Sequence, residues 1–454
     1  MSLLEQVRPL RDAQRFAEAV PLLEEAVALA PEHHDIRLML ANAYMKCGAM
    51  REALGEFNDL TRRFPDRGDA WNNLAGVLST LGLLPQALRA VDRALTLAPH
   101  EPKALQNLAE ISKAMGDWAG ARRAYELALA LVPDDPRLRM QYGMTLITTG
   151  VWPEGWREWE WRLAVADMPL NAETFDSPRW DGATPLDGRT VLLTHEQGLG
   201  DAIMCARFAR DLTARGARVI VRCPRPLVPL LATADGVAEA QPLHAPMPAH
   251  DCHVAGMSMP ALLGLRPEQL DGRPYLHATG SCPAPIAAAL PRDGVPTIAL
   301  AWAGNRLHVH DRRRSIPGEL LAPLLAVEGV RFASMQKYPS TAETLPPALR
   351  ERVVDIGPLC DDFVASAHAL GRVDLVVTVD SAVAHLAGAI GAPTLCCLPA
   401  FPDYRWLLDR GDTPWYDSVA LVRQTVLHDW GPVLARVEGA VRAIAAAAST
   451  RAVA

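Results

Sequence analysis

A period of 34 residues constrains the first third of this chain more tightly than anything in its composition. Pro31, Pro65, Pro99 and Pro133 keep that spacing, as do Gly48, Gly82, Gly116 and Gly150, and Ala19, Ala53, Ala87 and Ala121. Phe57, Val91, Tyr125 and Trp159 hold one bulky position in the same phase. Within one period, Trp71, Leu74, Ala75, Leu78 and Leu81 form a helical stripe that Gly82 ends. Ala87, Leu88, Val91, Ala94 and Leu95 form the next stripe, which Pro99 closes. Each unit is therefore a helix pair, too small to bury its own apolar face, and neighbouring units must stack into a solenoid.

Period and small residues together resemble the tetratricopeptide repeat, with about five units over residues 1–168 and atypical first and last members. The last unit, GVWPEGWREWEWRL (150–163), carries Trp152, Trp156, Trp159 and Trp161 where small packing residues are due. It is expected to cap the solenoid against the adjoining domain; direct contact with a ligand is the alternative. Asn73 and Asn107 stand one period apart on first helices, flanked by Met39 and Gln141 at the equivalent places. Amides so spaced can pair with the backbone of a threaded acceptor peptide, and they can equally be polar residues on a solvated face. The resemblance favours the former, since O-GlcNAc transferases carry an asparagine ladder at that repeat position.

After a linker (169–188) containing PRWDGATPLDG, the texture changes to α/β. Apolar runs suited to parallel strands lie at 190–194, 218–222, 297–302, 330–335, 374–379 and 394–398. The Pro- and Gly-rich stretch 271–296 reads as a hinge between two Rossmann-like halves, 189–285 and 286–454. A chain of 454 residues accommodates these three domains. Its net charge of −7, with 52 acids against 45 bases and no long runs, does not point to nucleic acid or an anionic membrane. Charges early in MSLLEQVRPLRDAQ and the lack of a long apolar run lead to the expectation of a cytoplasmic protein without a membrane span. The eight cysteines form no CxxC pair and read as reduced, mostly buried thiols. HDCH (250–253) has metal-ligand residue types, but alternation along a short strand would send them to opposite sides. No metal or cofactor is expected.

The stretch LTHEQGLGDAIMCAR (193–207) begins like a dinucleotide fingerprint, then places Asp201 where the third glycine is nearly due. The second strand ends in Arg222-Cys223 rather than in an acid for a ribose, so the NAD reading fails, and no Walker-type phosphate loop is present. Two doubly wound halves place a ligand beyond the carboxyl ends of their strands. In the second half, VVTVDSAVAHLAGAIG (376–391) runs from strand through Asp380 and Ser381 into a helix. The first turn of that helix can offer N–H groups to an anion, although alone it also reads as a capped helix with His385 packed inside. The strand IALAWAGN (298–305) empties at Asn305 into RLHVHDRRRSIP (306–317), which contains His308 and three consecutive arginines. Such a loop matches phosphate oxygens, or is simply a solvated basic loop.

The pieces HEQGLGDAIMCARFA, AWAGNRLHVHDRRRSI, SMQK, VDSAVAHLAGAIGAPT and DYRWLLDRGDTPWY resemble GT-B glycosyltransferases of the heptosyltransferase kind (family 9-like). They especially resemble bacterial proteins that join tetratricopeptide repeats to such a domain, including flagellin and other protein O-glycosyltransferases. The resemblance implies that Asp201 is the base activating the acceptor, with Gly198 and Gly200 allowing close approach of a sugar. Arg314 would bind the donor's phosphates, and so would the helix start at Asp380, Ser381 and His385. Asn305 and His308 would lie on the donor side, and Gln336 would flank the nucleotide base. Ser381-Ala382 departs from the Thr-Gly common in heptosyltransferases. The expected function is an inverting, metal-independent transfer of a sugar from a nucleotide sugar to a protein hydroxyl, flagellin being one candidate acceptor recruited by the repeats. The alternatives are a degenerate nucleotide-binding scaffold or adaptor, and a transferase acting on a saccharide or lipid-linked acceptor. Asp201 as a mere helix cap is the competing reading of the first motif, with Glu196 the substitute base.

Overall fold

The computed structural model describes residues 3–166, 168, 173–307 and 311–453, and divides them into two compact units, residues 1–146 and 147–454. The first unit is the helical solenoid. Helices Leu3–Asp12, Phe16–Leu29, His34–Lys46, Met50–Arg63, Gly68–Thr80, Leu84–Leu97, Pro102–Ala114, Trp118–Leu131 and Pro136–Thr148 follow one another as the repeat requires. Gly48, Gly82 and Gly116 follow first helices with φ of 77°, 76° and 81°. This left-handed conformation carries no steric penalty for glycine, which is why the repeat keeps it there. Ala19, Ala53, Ala87 and Ala121 are all buried, as are Phe57, Val91 and Tyr125, so each small residue sits where helices approach and each bulky one fills the space beside it.

The helix Trp152–Trp159, which the repeat count places in the solenoid, lies in the second unit. Trp152, Trp156 and Trp159 are buried there against aromatic residues of the α/β region. Trp152 stands 5.4 Å from Trp415, and Trp156 and Trp159 stand 5.9 Å and 5.2 Å from Tyr404, ring centre to ring centre.

The rest of the second unit is built on two all-parallel sheets. In the first, strands β1 (Thr190–Thr194), β2 (Arg218–Cys223), β3 (Val237–Pro242) and β4 (Cys252–Ala255) are ordered β3-β2-β1-β4. The second contains β5 (Thr297–Ala301), β6 (Arg331–Ser334), β7 (Val353–Asp355), β8 (Leu375–Val379), β9 (Thr394–Leu398) and β10 (Val419–Arg423), ordered β10-β9-β8-β5-β6-β7. Numbered from its own first strand, that sheet reverses direction of winding beside β5, the mark of a doubly wound arrangement. Central strands such as β5 and β8 are buried along their whole length, which explains their unbroken apolar sequences. Val433, Val437 and Val441 of the C-terminal helix Gly431–Val453 complete the core around Ile298, Phe332 and Val377.

In a doubly wound sheet a ligand crevice opens where the strand order reverses, beyond the strands' carboxyl ends. The reversal falls between β1 and β4 in the first sheet and between β5 and β8 in the second. The segments leaving β1, β5 and β8 are the ones that carry Asp201, Asn305 with Arg314, and Asp380 with Ser381.

Candidate functional site

The turn after β1 is tight. Gln197 has φ of 60°, a left-handed conformation uncommon for a residue with a side chain and one that clusters at functional turns. Gly198 then caps the helix Leu199–Ala206, and its N–H donates to Oδ2 of Asp201 at 2.8 Å. Asp201 thus does cap its own helix. Its other oxygen, Oδ1, takes a short ion pair from Nη2 of Arg405, a residue of the loop between β9 and β10. Glu196, the substitute base, is buried in an ion pair of 2.7 Å with Arg162 and is already committed.

Gly200 has a different role from the one anticipated. A Cβ on it would stand 2.6 Å from Cδ2 of His385 and 3.5 Å from Cα of Ala382. The absent side chain therefore makes room for the helix Ala382–Ile390 rather than for a sugar. His385 is likewise corrected: its ring is buried, stacked on Trp406 at 5.4 Å, with Nδ1 2.9 Å from the Tyr416 hydroxyl. Burial, with Arg405 nearby, lowers its pKa to about 4, so it is neutral and belongs to the packing between the two halves.

On the second sheet, Ser381 caps the helix Ala382–Ile390, accepting from the Val383 N–H at 3.3 Å. Asp380 beside it is pushed up to about 6 by burial and by the charge of Asp403, against the opposing pull of Arg314 and Arg405. Arg314 is largely buried. Gly304 leaves room for its guanidinium, since a Cβ there would meet Nη2 at 2.7 Å, and Nε lies 3.5 Å from Asp311. Gln336 is also corrected. Its Oε1 accepts from the Ala303 N–H at 3.1 Å and its Nε2 donates to the Pro339 carbonyl at 3.1 Å, so the amide ties two strand ends together instead of presenting itself to a base. Asn305 is exposed, with Oδ1 accepting from the Leu307 N–H at 3.0 Å. His308 lies outside the described residues.

Sequence reasoning assigned no role to Arg405 or Asp403, although both stand in the quoted DYRW stretch. Arg405 is buried; Nη1 lies 2.5 Å from Asp403 and its carbonyl accepts from the Trp415 indole at 3.0 Å. Burial draws Asp403 upward, and the charge and hydrogen bonds of Arg405 outweigh it, leaving the acid below its ordinary range. The available signal was an acid and a base two residues apart among aromatics, since a buried charge requires a partner.

In the solenoid, Asn73 and Asn107 are paired with their neighbours. Asn73 Nδ2 donates to Oδ1 of Asn42 at 3.2 Å, and Asn107 Nδ2 donates to Oδ1 of Asn72 at 2.8 Å, while Gln106 reaches Gln141 at 2.6 Å. The amides therefore link successive first helices, a role the acceptor-ladder reading did not include. In the first sheet, the hydroxyl of Ser177 lies 2.8 Å from His250 and 3.0 Å from His253, so the HDCH histidines meet through a serine. No group of three or more potential metal ligands occurs among the described residues. All eight cysteines are free, and six of them are buried. No described helix is long and apolar enough to cross a membrane.

Comparison with known proteins places tetratricopeptide repeats at residues 10–78 and 81–146, giving the chain a protein-interaction region. These matches cover 69 and 66 residues, more than a quarter of the chain but less than half. The chain is similar to Protein FlbA of Caulobacter vibrioides, 29% identical over 310 residues, which are 62% of this chain and 51% of that protein. It thus spans about half the length of the curated relative it matches. Among solved structures, a thermophilic TPR protein of Thermus thermophilus is 22% identical, covering 36% of this chain and 90% of its own, with a TM-score of 0.34. MamA is 20% identical, covering 35% and 92%, with a TM-score of 0.31.

Proposed function

We propose that this chain is an inverting glycosyltransferase of GT-B architecture, moving a sugar from a nucleotide sugar to a protein hydroxyl, with the repeats recruiting the acceptor. The observation that carries this reading is the ion pair of Asp201, from the first half, with Arg405 of the second, whose charge acts on Asp380 as does that of Arg314. A potential proton acceptor from one half thus stands beside potential phosphate ligands from the other.

In this mechanism the acceptor hydroxyl gives its proton to the Asp201 carboxylate as its oxygen attacks the anomeric carbon. The bond from that carbon to the donor phosphate breaks from the opposite face, and the electron pair leaves with the nucleoside diphosphate. Arg314 and the positive end of the helix that starts at Ser381 meet the developing charge, so phosphate ligation needs no metal. General-base assistance of this kind contributes about 10²- to 10⁴-fold.

The test is intact-mass analysis of a flagellin co-expressed with the wild-type chain or with Asp201→Asn. A sugar-sized mass increment with the wild type, absent with the variant, is expected. An unmodified acceptor together with retained nucleotide binding would instead establish a nucleotide-binding adaptor.

A further inference from the structure

Arg405 stands among three carboxylates. It pairs with Asp201 of the first half and with Asp403 of its own loop at 2.5 Å, and it feels the charge of Asp380. Such a surplus of negative charge is a poor resting place for a diphosphate, and both oxygens of Asp201 are already engaged, Oδ2 by the Gly198 N–H and Oδ1 by the guanidinium. Both difficulties have one geometric source. Nη2, the atom that neutralises Asp201, meets it beside Gly200, whose missing Cβ would lie 3.5 Å from Cα of Ala382 at the helix start. The guanidinium's charge is felt by Asp380, whereas its Nε has no acceptor among the described residues despite being buried. The loop around it is held away from relaxed backbone as well. Leu407, two residues on, has φ of 57° and ψ of −171°, and Gln197, at the Asp201 turn, has φ of 60°. Residues of this kind persist only where the surroundings hold them, and they favour places where two arrangements compete.

We propose that Arg405 is a phosphate-responsive latch: it holds Asp201 in the donor-free protein, and a diphosphate arriving at the Ser381 helix start draws the guanidinium to itself and releases the Asp201 carboxylate. The proposal rests on the transferase reading and deepens it. It makes Arg405 a positioning residue for Asp201 and a ligand of the donor, so that the base becomes free only when a donor is present. Asp403 keeps the guanidinium anchored by Nη1 through the change, while Nη2 and Nε are the atoms offered to phosphate oxygens.

The experiment is calorimetric titration of the full chain with inorganic pyrophosphate at fixed pH and salt. Asp201→Asn is the informative variant, because its amide oxygen still accepts from the Gly198 N–H while its hold on Arg405 is weakened. It should bind pyrophosphate about tenfold more tightly than wild type, a coupling of ordinary size between competing sites. Arg405→Gln should bind about tenfold or more weakly, and the double variant should bind as Arg405→Gln does. A gain from Asp201→Asn that persists in the Arg405→Gln background would be plain relief of charge repulsion and would overturn the latch. So would the absence of any gain in Asp201→Asn, a result that stands even if the Arg405 variants fail to fold. Arg314→Ala separates the two levels: its wild-type affinity alongside an Arg405-dependent gain would keep the latch and remove the phosphate role of Arg314. A wild-type chain that binds no pyrophosphate would overturn both.

Discussion

Gly200 and His385 are in contact across the two halves of the α/β unit, so closely that a Cβ on the glycine would lie 2.6 Å from the ring. The neighbouring Ala382 Cα, 3.5 Å from the same point, leaves little room to move, and the ring is fixed by Trp406 and Tyr416. Gly200→Ala should therefore destabilise the unit by about 1–3 kcal/mol through overpacking, read from urea unfolding. An unchanged midpoint would show that the helices separate freely at this point.

His385 and Asp380 give opposite pH dependences. Unfolded, the histidine binds its proton near 6.5, and folded near 4, so between these values the unfolded state holds more protons and His385 lowers stability as pH falls. Asp380 moves from 3.8 to about 6, so between those values the folded state holds more protons and the residue raises stability as pH falls. From pH 4 to 6 the two contributions largely cancel. Asp380→Asn should lose about 2–3 kcal/mol more than wild type on acidification across that window, and His385→Gln should gain about as much relative to wild type. Unfolding at a series of pH values checks this; parallel profiles in all three proteins would refute it.

The strands legible in the sequence and those that were not differ by position. β1, β2, β5, β6, β8 and β9, all anticipated as apolar runs, are the interior strands of the two sheets. The four remaining strands are the four sheet edges. VAEAQP (β3) ends in a proline and is nowhere fully buried, β7 has three residues, β10 has an exposed Ala420, and β4 was visible only as a short strand within HDCH. An interior parallel strand is covered on both faces and flanked on both sides, which demands uniform apolarity; an edge strand is free of half that demand. The site follows the same logic. The places of Asp201, Ser381 and Arg314 beyond strand ends and at helix starts could be read, because those places have local signatures. Arg405 could not, because its meaning depends on Asp201, 204 residues earlier. Gly200 and His385 were misread for the corresponding reason: the space a glycine leaves is identified only by what fills it.

Arg314 offers a direct probe of donor binding. Loss of a charge-assisted contact to phosphate costs about 1.5–3 kcal/mol, so Arg314→Ala should weaken nucleotide diphosphate binding about tenfold to a hundredfold. Gly304, freed of its neighbour's guanidinium, is not expected to collapse, because its N–H still donates to the Ser315 hydroxyl, which in turn donates to Asp311. Calorimetry showing wild-type affinity in a folded variant would remove Arg314 from the site.

The asparagines of the solenoid need a test that separates cohesion from recognition. Asn107→Ala would leave the buried Asn72 side chain without its donor, and an unsatisfied buried acceptor costs about 1–3 kcal/mol. Asn73→Ala affects Asn42, which is only partly buried and can turn to water, so about 0.5–1.5 kcal/mol is expected. Affinity for an acceptor segment measured in these single variants would mix the two effects. Replacing both partners with apolar groups avoids the problem, because exchanging a hydrogen-bonded pair for packed carbon is nearly neutral. The double variant Asn72→Val with Asn107→Leu should keep the solenoid's thermal midpoint close to wild type while deleting the amide. If the ladder touches an extended acceptor, affinity for a flagellin should fall in this variant with pyrophosphate binding unchanged. If affinity instead follows only the stability of each variant, the amides act as struts between successive repeats, and recognition must lie elsewhere on the groove.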